Sequence, residues 1–131
     1  MSVRVGDRSE GQLQVLKVAS DIANYTLTIC SNEKSFPKSK RWMITQRIVG
    51  EALDGYACIR TANISRRDDV FEKSFRRQKQ VEARGHYNSL LGYIDIAYSH
   101  FNLDSKRVDY WGGMIDHEIS LLNKWINSEK E

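Results

Sequence analysis

Apolar side chains recur at intervals of three and four residues along most of this 131-residue chain. That spacing places them on one face of an α-helix, which has about 3.6 residues per turn. No segment alternates between apolar and polar residues with the period of two that predicts a half-buried strand. The sequence therefore predicts an all-α protein. Its helices are expected at about residues 12–31, 37–59, 70–101 and 105–126.

Short polar links join the four predicted helices, and this arrangement is typical of a bundle. We predict an antiparallel four-helix bundle with up-down-up-down topology. In this interpretation residues 1–131 form a single domain, and residues 1–11 and 128–131 are expected to be flexible. No apolar run approaches the roughly 20 residues of a membrane span, and the first residues do not resemble a signal peptide. We therefore expect a cytoplasmic location and no membrane attachment.

The predicted boundaries depend on residues that have clear preferences at helix ends. Pro37 is the only proline, and it favours the first turn of the second helix because it fixes φ and has no amide hydrogen to leave unpaired. Asp68 or Asp69 is suited to cap the third helix. Asp104, followed by Ser105, is suited to cap the fourth.

Two of the predicted helices have unusual faces. The first carries a second apolar row beside its main one, so we expect it to contact neighbours on two sides. The third is highly charged in its first half, where Phe71 and Phe75 are the expected apolar anchors. We expect that half to project past the bundle.

Positive charge is concentrated in the middle of the chain. The net charge is +3, but residues 34–84 contain thirteen Lys and Arg against six Asp and Glu, a net charge of +7, and the remaining residues carry −4. Such an asymmetry indicates an anionic partner such as nucleic acid, although any one charged cluster is about as often a solvated helix face. Lys38, Lys40, Arg41 and Arg47 lie near the predicted start of the second helix, with no acidic residue expected nearby. Because the helix dipole disfavours cations there, their presence suggests a use.

The motifs that accompany catalysis are absent. The sequence contains no Walker loop, GxGxxG, GxSxG or HExxH motif, and its three histidines lack the spacing of metal ligands. We expect no enzymatic activity, no metal and no cofactor. Cys30 and Cys58 do not form a CxxC pair, so we expect buried apolar residues and not a disulfide.

Tryptophan side chains can stack on nucleic-acid bases, but tryptophans at helical spacing lie more often in a core or an interface. This interpretation applies to Trp111 and Trp125. Trp42 is the one to test as a stacking residue, because it directly follows Lys40 and Arg41.

Four segments of the sequence, taken in order, resemble a known family. They are VLKVASDI in the first helix, FPKSKR at the start of the second, LLGYIDIAY in the third and KRVDYWGGMIDHEISLLNKWI in the fourth. Over about residues 15–127 the chain resembles the accessory variability determinants, which are four-helix-bundle accessory proteins of diversity-generating retroelements.

The resemblance implies a non-enzymatic protein that forms a homopentamer, binds nucleic acid, and associates with the reverse transcriptase of the element to support mutagenic copying and retrohoming. Because nothing in the sequence indicates base-specific contacts, we expect binding to RNA or DNA without strong sequence preference. Lys38, Lys40 and Arg41 fall in the FPK-type motif of the family and are the first choice for contact with nucleic acid or the transcriptase. Further candidates for nucleic-acid contact rest on charge alone: Arg47, Arg66, Arg67, Arg76, Arg77 and Lys79.

Two other interpretations stay open. The four-helix-bundle proteins encoded in intervening sequences of ribosomal RNA genes have a similar fold and basic character, but their usual QxxRAxxSIxxNIAEG-like segment is poorly matched by residues 46–52. Alternatively, the chain is a protein-interaction bundle whose cations meet an acidic protein partner. Salt-dependent binding to RNA or DNA would favour a nucleic-acid function over the second of these.

Overall fold

The structure is a computed structural model, and it describes the backbone of residues 2–129 and the side chains of residues 11–129. Over that range the chain forms four α-helices and no strand, which confirms the predicted all-α bundle. The helices are α1 (Ser2–Cys30), α2 (Gln46–Ile64), α3 (Val70–His100) and α4 (Ser105–Ser128). The expected flexibility of the two chain ends stays a prediction, and residues 1, 130 and 131 lie outside the described range.

The helices α2, α3 and α4 run in alternating directions. Contacts between α2 and α3 pair Glu51 with His86, Cys58 with Glu82, and Ala62 with Arg76, so residue numbers rise along one helix as they fall along the other. The same relation holds between α3 and α4, where Arg84 meets Asn123 and Arg76 meets Glu129. The first helix packs against α2 and α4, as predicted from its two apolar rows.

Aromatic side chains fill the end of the core where α1 ends and α4 begins. Phe36 and Trp111 are fully buried and meet edge to face, with ring centroids 6.2 Å apart. The Trp111 indole nitrogen donates a hydrogen bond to the Thr26 hydroxyl at 3.0 Å, which satisfies both polar groups inside the core. Burial of Phe36 fixes the connection between α1 and α2, and it therefore fixes the position of the residues that follow.

A buried polar cluster lies at mid-height between α2, α3 and α4. A Cβ at Gly55 would lie 2.9 Å from the Tyr87 ring, so the close approach of α2 and α3 requires glycine there. Among the described residues, neither carboxylate oxygen of Glu118 has a hydrogen-bond partner, and neither does the Tyr87 hydroxyl. Burial raises the pKa of Glu118 to about 9, so its neutral form is the one that the core accommodates at neutral pH.

The predicted caps of α3 and α4 are confirmed. The Asp69 carboxylate accepts hydrogen bonds from the backbone amides of Phe71 and Glu72, and the Asp104 carboxylate accepts one from the amide of Arg107. These bonds satisfy amide groups that the first helical turn leaves without a partner.

The start of the second helix differs from the prediction. Pro37 has an extended backbone conformation, and it is followed by a 3₁₀ turn (Lys38–Lys40) and a π-helical turn (Arg41–Thr45) before α2 begins at Gln46. Lys40 has φ −104° and ψ 5°, which breaks the helical path between the two turns. The first helix also begins earlier than predicted, at Ser2 and not near residue 12. Adding residues to a helix that has already formed costs less than starting one, so the polar residues at its beginning can extend it.

The prediction that Phe71 and Phe75 anchor α3 is wrong. Phe71 is 86% exposed, and the buried residues of that half of the helix include Arg76, Gln80 and Ala83. Polar side chains with partners therefore form the inner face, and the two phenylalanines lie on the outer one.

Both cysteines are free and buried, as predicted. Burial raises the pKa of the Cys30 thiol to about 12, so the thiolate that would react or bind a metal is disfavoured there. None of the described helices combines the length and the apolar character that crossing a membrane requires.

Candidate nucleic-acid interface

The predicted basic residues separate into two groups at opposite ends of α2. One group precedes the helix or lies in its first turn, and it consists of Lys38, Lys40, Arg41 and Arg47. The other is Arg66, Arg67, Arg76, Arg77 and Lys79. The helix between these groups has 19 residues and is about 27 Å long, since an α-helix rises about 1.5 Å per residue. We call the first the Trp42 end and the second the Arg76 end.

The cations of the Trp42 end are exposed to solvent. Lys38 lies 3.4 Å from the carboxylate of Glu33, so the expectation that no acid is nearby is wrong for this residue. Both side chains of that pair are more than half exposed, and such pairs contribute only about 0–1 kcal/mol. Within the described part of the chain, Lys40, Arg41 and Arg47 have no carboxylate within ion-pair distance. Their charge is therefore available to an external anion.

Trp42 and Met43 project from the π-helical turn into solvent. Trp42 is 82% exposed and Met43 is 66% exposed, whereas Thr45 at the end of the same turn is buried. Turning Thr45 towards the core leaves the two larger side chains on the outside. Large apolar side chains that lie together on a surface mark contact sites, and π-helical turns occur often at functional positions. The indole and the guanidinium of Arg41 are adjacent in the chain.

A groove of about 570 Å³ lies beside Trp42, between the turns that precede α2 and the last turn of α3. Met43 and Ile44 form one apolar wall, and Ile96 and Phe101 form the other. The complete lining is Lys34, Pro37, Lys40, Met43, Ile44, Ile96, Ala97, His100, Phe101 and Asn102. No acidic side chain is part of this lining, so the groove combines apolar walls with a positive rim.

Arg76 is buried and cannot reach a ligand. It is 2% exposed, and its Nε and Nη2 atoms each donate a hydrogen bond of 2.8 Å to the carboxylate of Glu129. Its Nη1 atom donates to the carbonyl oxygens of Ala62 at 2.6 Å and Ser65 at 2.9 Å. The prediction that Arg76 lies on the interface is wrong, because its donors join the end of α2 to the end of α4.

Glu129 is the centre of this buried network. Gln80 and Trp125 also donate hydrogen bonds to its carboxylate, at 3.1 and 2.9 Å, and Arg67 lies 3.7 Å away. Burial alone would raise the pKa of Glu129, but the hydrogen bonds and charge of Arg76, with help from Gln80 and Arg67, hold that pKa below its usual value. Trp125 is thus a core residue, as expected, and so is Trp111.

The remaining cations of the Arg76 end mostly have carboxylate partners of their own. Arg66 donates two hydrogen bonds to Asp68, at 3.0 and 3.1 Å. Lys79 lies 3.0 Å from Glu82. Arg77 is half-buried and has no ion-pair partner among the described residues. This end therefore presents less unpaired charge than its sequence indicates, and its predicted contact with nucleic acid stays a prediction for Arg66, Arg67, Arg77 and Lys79.

Sequence reasoning missed both the network and the groove. The core stripe of α3, continued backwards from Tyr87 at intervals of four and three, reaches Ala83, Gln80 and Arg76, so the inward position of Arg76 had a signal. Glu129 had none, because it lies in a polar segment at the end of the sequence. The groove joins side chains from two distant segments, and no local pattern encodes that proximity.

Within the described residues, no group of three or more His, Cys, Asp or Glu side chains is placed to hold a metal ion. Comparisons with protein-family models, with curated protein sequences and with solved structures find no match to this chain.

Proposed function

We propose that the Trp42 end binds nucleic acid and that the protein is a non-enzymatic accessory factor of a diversity-generating retroelement, which brings RNA or DNA together with the reverse transcriptase to support mutagenic cDNA synthesis and retrohoming. One observation carries the nucleic-acid part: the consecutive residues Lys40, Arg41 and Trp42 are all exposed, and the structure gives the two cations no acidic partner among its described residues.

This combination of groups suits a strand of nucleic acid. Lysine and arginine neutralise phosphates, and an exposed indole offers a face on which bases of any identity stack. Contacts of these two kinds carry little information about base sequence, so we expect weak sequence preference.

The retroelement part depends on the resemblance of residues 15–127 to the accessory variability determinants. That family is expected to form homopentamers, and a ring of five chains would present five copies of the Trp42 end to one nucleic acid. Each contact could then be weak while the total affinity is high, because the second and later contacts are intramolecular.

The test is the salt dependence of binding to a labelled single-stranded RNA, measured by fluorescence anisotropy. Changing Lys38, Lys40 and Arg41 together to Ala removes up to three phosphate contacts. The slope of log affinity against log salt should then become shallower by about 2, since each contact to a single strand contributes about 0.7. Helicity by circular dichroism should stay unchanged. Equal affinity and equal slope in the wild type and the variant would contradict the proposal.

One observation favours a second candidate function. The groove beside Trp42 has mainly apolar walls and a positive rim, which would also fit an apolar side chain of an acidic protein partner. Under that alternative the triple variant would lose the protein partner and the wild type would not bind RNA at low salt.

A further inference from the structure

We infer that the groove beside Trp42 receives one unstacked base of a single-stranded nucleic acid, and that the Trp42 end therefore prefers single strands to duplexes. This inference rests on the proposed function and names the class of nucleic acid that the site selects. The observation behind this inference is the groove, whereas the observation behind the proposed function is the exposure of the cations and of Trp42.

The dimensions and walls of the groove fit a planar group. Its volume of about 570 Å³ falls in the range of about 300–1,000 Å³ that is usual for small-molecule sites. Met43 on one wall and Ile96 on the other are more than half exposed, so both have apolar surface left to cover. The Phe101 ring, which is part of the lining, meets the buried Phe36 ring edge to face, and this contact restricts its position. A base between these walls would bury apolar area on both of its faces.

The polar groups of the groove suit the phosphates on either side of a base and the polar edge of the base itself. Lys34 and Lys40 lie on its rim, where the phosphates on either side of an inserted base would pass. His100 and Asn102 provide polar groups for the edge of the base. Because no acidic side chain is part of the lining, nothing in it repels a phosphate. Trp42, outside the groove, is then free to stack on the next base.

A duplex cannot use the groove in this way. Its bases are paired and stacked, and removing one from the stack costs a few kcal/mol. A duplex would therefore contact the exposed cations through phosphates alone, whereas a single strand would add the base contacts. This difference separates the groove from a positive surface that attracts any polyanion.

The experiment compares three probes at one salt concentration by fluorescence anisotropy. They are a thymidine strand of about 12 nucleotides, an abasic strand of equal length and a duplex of equal length. All have a phosphate backbone, but only the first offers free bases. We expect the wild type to bind the thymidine strand at least about fivefold more tightly than the abasic strand, since stacking of one base contributes about 1–3 kcal/mol.

Two matched variants locate the effect. Met43→Ala with Ile96→Ala removes apolar surface from both walls without changing charge. It should lower affinity for the thymidine strand by at least about fivefold and leave affinity for the abasic strand unchanged, and stacking on Trp42 accounts for the preference for free bases that remains. Phe71→Ala with Val81→Ala removes similar exposed apolar surface away from the groove and should leave all three affinities unchanged. Circular dichroism checks that both variants stay folded.

The outcomes separate this inference from the proposed function. If all three probes bind equally and the wall variant has no effect, the groove does not take a base, yet a loss of binding in the Lys38, Lys40 and Arg41 triple variant would still support the proposed function. If no probe binds at low salt, the proposed function fails as well. A peptide of alternating Glu and Leu serves as a probe for an acidic protein partner. If the wild type binds this peptide, and the wall variant loses affinity for the peptide but keeps its affinity for the thymidine strand, the groove is a protein-binding site and the inference is wrong.

Discussion

The two ends of α2 use positive charge in opposite ways. At the Trp42 end, Lys40 and Arg41 are exposed beside an exposed indole and have no acidic partner in the described structure. At the Arg76 end, Arg76 itself is buried. Its guanidinium donates hydrogen bonds to the Glu129 carboxylate and to the backbone carbonyl groups of Ala62 and Ser65 at the end of α2. Similar charge in the sequence therefore leaves exposed cations at one end, where we propose binding, and forms a buried contact between helices at the other.

The difference follows from the energy of burying an ion. A guanidinium removed from water is tolerated only when its charge and its hydrogen-bond donors are matched, and Arg76 meets both conditions through Glu129, Ala62 and Ser65. Exposed cations face no such requirement, so they stay hydrated until a ligand arrives. Removing a cation should therefore affect stability at one end and binding at the other.

The largest effect is expected at the Arg76 end. Arg76→Met removes the bidentate partner of Glu129 and leaves a buried carboxylate and two carbonyl groups without their main donor. We expect a loss of about 3–5 kcal/mol in the free energy of unfolding, measured by urea denaturation. Combining Arg76→Met with Glu129→Leu should recover much of that loss, because the unpaired carboxylate is gone. A loss below about 1 kcal/mol in the single variant would show that the network does not hold the helices together.

The middle of the bundle provides a third case, in which a carboxyl group is buried without a partner. The pKa of Glu118 in the folded protein, about 9, lies above its ordinary value of 4.5. The folded state therefore keeps a proton that the unfolded state has released between these pH values, and stability falls as the pH rises through that window. The described titratable group facing Glu118 is Tyr87 on α3, and the buried residues of α1 beside α4 include Ile22 and Thr26, which do not titrate.

Glu118→Gln removes this titration while keeping the shape of the side chain. At pH 7 the variant should be more stable than the wild type by up to about 3 kcal/mol, and near pH 4 the two should have similar stability, since both side chains are then neutral. Urea denaturation at several pH values between 4 and 9 measures the difference. A gain that is the same at every pH would mean that Glu118 is not buried as a neutral acid.

The smallest effect on stability is expected at Trp42. Because this side chain is mostly exposed, Trp42→Ala should change the free energy of unfolding by less than about 0.5 kcal/mol. The same variant should lower affinity for a single-stranded RNA by at least about fivefold, because a stacking platform is lost. A large loss of stability with unchanged binding would assign Trp42 a structural role and remove it from the interface.

Local signals predicted much of the fold. The intervals of three and four apolar residues identify the four helices, and Asp69 and Asp104 identify the starts of α3 and α4, because caps and helix faces depend on neighbours within one or two turns. The path after Pro37 was harder. Burial of Phe36 and Thr45 on either side of Trp42 sets the 3₁₀ and π-helical turns, and that burial depends on tertiary contacts.

The candidate site was predicted only in part. The cations before α2 were predicted to contact nucleic acid. They are exposed, and that contact stays a prediction. Arg76 was not distinguished from its exposed neighbours, although the core stripe of α3 includes its position. Burial of a charged residue requires a partner, and the partner of Arg76, Glu129, lies 53 positions further along the chain. Phe71 was predicted to be buried, but it is exposed, because Arg76 and Gln80 occupy the inner face of that half of α3. A charge or an apolar side chain has no fixed location until its tertiary partners are known.

The most direct test of the contrast between the two ends removes three cations from each in turn. One variant changes Lys38, Lys40 and Arg41 to Ala, and the matched variant changes Arg66, Arg77 and Lys79 to Ala, so both have the same net charge. Affinity for a single-stranded RNA is measured by fluorescence anisotropy at one salt concentration. We expect at least about a tenfold loss of affinity in the first variant and a change within about twofold in the second, because phosphate contacts govern salt-dependent affinity. Equal losses in the two variants would mean that net charge alone attracts the nucleic acid, and this would contradict the assignment of binding to the Trp42 end.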